Sequence, residues 1–109
     1  MGQAFTFRSL PPERQRLLRK MQQINFGRIK GMAIVDAQPV LEPLPEIVLD
    51  IKFGGDNGVR PEVNVTDFVL KSQVADMFDY FDRVRNFHIE TLEIKNGLPF
   101  LMLVPQAAV

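Results

Sequence analysis

His88 is the one histidine of the 109-residue chain. Glu90 stands two residues on, so on a strand the two would share a face. A catalytic histidine needs such an orienting acid, and also a nucleophile and an enclosing pocket. No nucleophile motif accompanies His88, which therefore reads as an ordinary residue at a strand start. Gly54-Gly55-Asp56-Asn57-Gly58 is the most glycine-dense stretch of the chain, and a ligand loop would start there, with Arg60 supplying charge for an anion. It matches neither glycine-rich phosphate fingerprint, and no helix opens directly after it. Asp50, Asp56 and Asn57 lack the spacing of a helix-loop-helix calcium site. Asp76, Asp79 and Asp82 fan around a helix rather than converge, which argues against a metal, and Asp79 with Arg83 reads as an i,i+4 ion pair. The chain has no cysteine, which excludes disulfides, thiolate catalysis and thiolate metal sites. The reading is a chain with no catalytic constellation, no cofactor and no metal.

Charge is the second candidate. Thirteen basic and thirteen acidic side chains cancel, so no global field steers partners. The first thirty residues nevertheless hold Arg8, Arg14, Arg16, Arg19, Lys20, Arg28 and Lys30 against Glu13 alone, a net of +6, and the rest of the chain carries −6. Cations in the first turns of a helix oppose its dipole. Arg14, Arg16, Arg19, Lys20, Arg28 and Lys30 thus make the alternative functional reading, a nucleic-acid-binding face in which arginine and glutamine meet phosphates and base edges. The plainer reading is a solvated helix face balanced by the acidic second helix, where Asp82 is best placed to reach a neighbour. No helix-turn-helix, zinc-finger spacing or aromatic RNA-binding strand is present.

These residues need elements to hold them. Ser9-Leu10-Pro11-Pro12-Glu13 is a helix-start signal, and Leu17, Leu18, Met21 and Ile24 form an apolar stripe on a helix reaching Asn25, with Gly27 as the stop. Arg28 to Val35 reads as a strand. Asp36-Ala37-Gln38-Pro39 reads as a turn, and Pro43 and Pro45 interrupt the return because proline donates nothing to a ladder. Glu46 to Phe53 alternates cleanly, with Ile47, Leu49, Ile51 and Phe53 on one side. Thr66 or Asp67 caps a second helix reaching Arg85, with Leu70, Val74, Met77, Phe78, Phe81 and Val84 inward. The last hairpin is Ile89 to Lys95, an Asn96-Gly97 turn, and Leu98 to Val104.

The two hairpins align without gaps. Ile29 to Leu41 matches Ile89 to Leu101 at an offset of 60 residues, with isoleucine first, an Asx residue at the eighth place and proline at the eleventh. The expectation is one α+β domain over residues 1–109, made of two α-β-β units at 9–53 and 66–104. Side by side they would form a four-stranded antiparallel sheet with two helices on one face. Counting back from a two-residue turn puts Leu92 opposite Leu101 and Ile94 opposite Pro99. Ile89, Phe100, Met102 and Val104 then share the other face, which leaves the last strand apolar on both sides. Either the arm with Phe5 and Phe7 covers that face or a second subunit does, and a homodimer is the favoured account.

Asn25-Phe26-Gly27-Arg28-Ile29 and the turn Asp36-Ala37-Gln38-Pro39-Val40 resemble those of small bacterial helix-plus-hairpin proteins of unknown function. The resemblance implies a bacterial origin and brings no activity or site with it. It leads one to expect glycine at position 37, and Ala37 argues against a tight positive-φ turn there.

Hydrophobic residues make up 46% of the chain and charged residues 24%, an ordinary globular composition. No apolar run is long enough to span a bilayer, and no signal-peptide core is present. The expectation is a cytoplasmic protein without membrane contact. The leading functional reading is a non-catalytic interaction module or small adaptor that acts as a homodimer and touches a further protein.

Overall fold

The computed structural model describes residues 6–53 and 70–106. A short 3-10 turn, Phe7–Ser9, precedes α1 (Pro12–Ile24). Ser9 does not cap that helix; its Oγ donates to the Thr6 carbonyl at 2.6 Å and accepts the Thr6 N–H at 3.2 Å. Pro12 occupies the first helical turn, where a missing N–H costs nothing. The stop is Asn25 rather than Gly27: it sits at φ 63° and its N–H donates to the Met21 carbonyl. Leu17, Leu18, Met21 and Ile24 are buried, as their spacing requires.

β1 (Gly27–Val35) follows, then β2 (Gln38–Pro39) and β3 (Glu46–Leu49). The expected single return strand is therefore two short pieces, and the sheet has five strands. Ile34 faces Pro39 but Lys30 faces Glu46, so the return path carries three residues more than β1 between those pairs. Pro43 and Pro45 lie in this detour. Beyond β3 the expected alternation fails. Leu49, Ile51 and Phe53 are exposed, Phe53 almost fully at 97%.

α2 (Ser72–Val84) is shorter than expected and starts after Lys71; Thr66 and Asp67 lie outside the described residues. Val74, Met77, Phe78 and Phe81 are buried, but Val84 points outward. β4 (Phe87–Lys95) and β5 (Leu98–Leu103) complete the elements of the described residues. The sheet is antiparallel in the order β2-β1-β4-β5, with β3 also on β1. The stripes of both helices and the inward residues of β1 and β4 form one apolar cluster.

Boundaries recur at a spacing of sixty residues. α1 and α2 have 13 residues each, and β1 and β4 nine each. Positive φ recurs at Asn25 and Arg85, at Asp36 and Asn96, and at Ala37 and Gly97. The two turns grip opposite helix ends: the Ala37 N–H donates to the Arg85 carbonyl at 2.7 Å and the Gly97 N–H to the Asn25 carbonyl at 2.9 Å. Ala37 thus does adopt the tight turn that its side chain argued against. Those hydrogen bonds, with the Asp36–Arg85 ion pair and the Asn86 side chain on the Asp36 N–H, offset its backbone strain.

Two irregularities reset the strand faces. Gly31, at φ 74°, breaks the alternation of β1, so Ile29 and Met32 both point inward, as do Ile89 and Leu92 on β4. A bulge between Glu93 and Ile94 adds a residue to β5, so Ile94 still faces Pro99 but Leu92 faces Met102, not Leu101.

Candidate interaction surface

The bulge decides which residues of β5 meet solvent. Met102 and Val104 pack against the core, and Ile89 lies fully inside it. Of the expected interface residues Ile89, Phe100, Met102 and Val104, only Phe100 is outside, at 61% exposure. Leu101 and Leu103, assigned inward by simple alternation, are each 44% exposed. Pro99 lies at the bulge, but proline fits an edge strand as well as a bulge, so period-two counting puts both leucines on the wrong side.

β5 is the sheet edge beyond β4. Among the described residues no backbone hydrogen bond joins its outer rim to a turn or loop. From Leu98 to Gln106 the chain has no charged residue. Beside it runs an open groove of about 280 Å³ against α2, lined among others by Gln73, Met77, Tyr80, Phe100 and Leu101. Lys95 lays its ammonium over the Phe100 ring at 3.9 Å, a surface cation–π contact. Tyr80 is fixed edge-on to Phe87 at 5.1 Å between centroids. The flank is thus a largely apolar wall, with the Asp76 carboxylate at its α2 side and Lys95 over Phe100, beside a backbone rim that is unpaired among the described residues.

The basic residues do not form one face. Arg14 is buried. Its guanidinium donates to Asp82 Oδ1 at 2.6 Å and to the Ala37 carbonyl at 2.8 Å, and stacks over the Phe78 ring. Its position three and four residues before Leu17 and Leu18 puts it on the apolar stripe, a signal that the sequence carried. Arg16 binds Glu42 at 2.7 Å and Glu13 at 3.2 Å. The hydrogen bonds from Glu42 and then Glu13 raise its pKa above the ordinary guanidinium value. Arg19 stacks on Phe7 at 4.1 Å and donates to Gln22. Arg28 lies 3.5 Å from Asp50. Lys20 is half-buried beside Arg16 and Arg19, and Lys30 is exposed on β1. Phe7 is buried beside α1, and its ring goes to that helix's arginine rather than over β5; Phe5, the other aromatic residue of the expected arm, lies outside the described residues.

His88 is exposed on β4 opposite Ala33, and Glu90 is exposed as well. Gly54, Gly55, Asp56, Asn57 and Arg60 lie outside the described residues. Asp79 binds Arg83 at 3.3 Å. Among the described residues no three acidic or histidine side chains gather as a metal site, and no helix is long and apolar enough to cross a membrane. No protein-family model matches the chain, and no curated protein or solved structure matches it either.

Proposed function

We propose that the chain is a non-catalytic protein-interaction module, a small adaptor whose partner-facing surface is the α2–β5 flank. The observation that carries this reading is the uncharged edge strand with Phe100, Leu101 and Leu103 open to solvent. Natural edge strands are usually blunted by charge, proline, a bulge or brevity, because an open rim recruits another strand; in β5 the proline and the bulge sit at the turn end, and Leu101 to Leu103 carry neither them nor a charge. Strand addition gives affinity through main-chain hydrogen bonds and specificity through side-chain pockets, and the groove against α2 is such a pocket. The non-catalytic part rests on His88 and Glu90, which stand exposed on a strand. The sixty-residue recurrence supports a chain built from two copies of one α-β-β unit, both helices lying against the same face of the sheet.

The test is strand addition itself. A seven-residue peptide of alternating valine and threonine, unrelated in sequence to β5 and carrying a lysine at each end, is titrated in large excess into dilute protein and followed by amide NMR. The reading expects shifts confined to β5 and the neighbouring turns of α2. A titration that moves no β5 amide, or moves those of α1 instead, contradicts it.

A further inference from the structure

The two edges of the sheet differ in what they can pair with. The β2–β3 edge is broken: β2 has two residues and β3 four, and Pro39, Pro43 and Pro45 offer no N–H. Glu42 and Glu46 add charge along it, with Glu42 held by Arg16. β5 has six residues and no charge, with the bulge at Phe100 near its turn end and a regular run from Leu101 to Leu103. Its one proline, Pro99, is buried beside the bulge near the turn, which leaves Phe100 to Val104 free of proline.

We propose that β5 pairs antiparallel with β5 of a second copy of this chain. The inference rests on the reading of this flank as the interaction surface and names its partner. Three physical points favour a second copy. Pairing of β5 with the β2–β3 edge of another molecule would build an open, growing sheet, and the prolines and glutamates of that edge prevent it. A two-fold β5–β5 contact uses up both open rims and closes at two subunits. An antiparallel self-contact also sets each strand against its own sequence, and here no like charges meet, a condition that most surface strands would fail. Phe100, Leu101 and Leu103 of both subunits then leave water together, and the apolar wall continues across the dyad.

The test is sedimentation equilibrium of the full chain over a wide concentration range, beside three variants at exposed sites. The wild type is expected to approach twice its 12.4 kDa mass. Leu101→Lys and Leu103→Lys each set a cation against its own copy or near it, and are expected to weaken association about a hundredfold or more. Leu44→Lys, on the opposite edge and half exposed, leaves the dimer intact. Circular dichroism checks that all three keep the fold. A wild type that stays at monomer mass overturns the proposal, and so does dissociation by Leu44→Lys or a species that grows beyond two subunits. The peptide titration separates the two failures. A monomer whose β5 amides respond to peptide loses the self-pairing but keeps the interaction surface; a monomer that ignores peptide loses both.

Discussion

The two hairpins begin alike and end differently. In both, a nine-residue strand runs into a turn with two positive-φ residues, and the turn amide docks on the far helix end. The first return then detours and resumes as β3. The second takes up a single-residue bulge and runs on as β5. The difference traces to small residues and prolines. Gly27 lets β3 come close: a Cβ there would lie 2.2 Å from the Val48 carbonyl oxygen. Its counterpart sixty residues on is Phe87, whose ring fills space against Phe81 and Tyr80. One hairpin ends in a short, broken and charged edge, and the other in an uncharged one.

The helices differ in a matching way. Arg14 stands where α2 has Val74, and Asp82 stands where α1 has Gln22; all but Asp82 are buried. The Arg14–Asp82 contact between the halves therefore has no counterpart at the equivalent pair.

Alanine at the matched core positions tests whether the halves share one interior. Met21 and Phe81 are both fully buried. Met21→Ala is expected to cost about 2–5 kcal/mol and Phe81→Ala about 3–5 kcal/mol by denaturant unfolding, each in one cooperative transition. Two separate transitions would break the comparison. Asp82→Ala removes the carboxylate from the buried Arg14 guanidinium and is expected to cost about 1–3 kcal/mol. A cost near zero would mean that the Ala37 carbonyl and the Phe78 ring hold Arg14 without it. Gly27→Ala forces β3 away from β1, for about 1–3 kcal/mol, and faster amide exchange at Val48 and Leu49 than at β4 would localise the damage. The turns sharpen the contrast most finely. Gly97→Ala places a side chain at φ 72° and is expected to destabilise by about 1–2 kcal/mol. Ala37→Gly relieves the same conformation and is expected to raise stability by about 0.5–1 kcal/mol. Equal signs for the two changes would contradict the equivalence of the turns.

Much of the α+β fold was legible because periodicity reports burial. The stripe from Leu17 to Ile24, the stripe from Val74 to Phe81, and the Asn96-Gly97 turn all follow from local rules. The sixty-residue offset was readable for the same reason. The exposed leucines of β5 were not, because Pro99 is as compatible with a plain edge strand as with the bulge beside it. Leu49, Ile51 and Phe53 alternate like a half-buried strand, yet pairing stops at Leu49 and the alternation buries little. Arg14 combines a cation's charge with the spacing of the apolar stripe, and its burial follows the spacing.

The most direct measurement of the difference between the edges is amide hydrogen exchange as a function of protein concentration. Raising the concentration should slow exchange at Phe100 to Val104 and leave Gln38 to Leu49 unchanged. Exchange on β5 that ignores concentration, or protection that grows along the β2–β3 edge instead, would contradict the account.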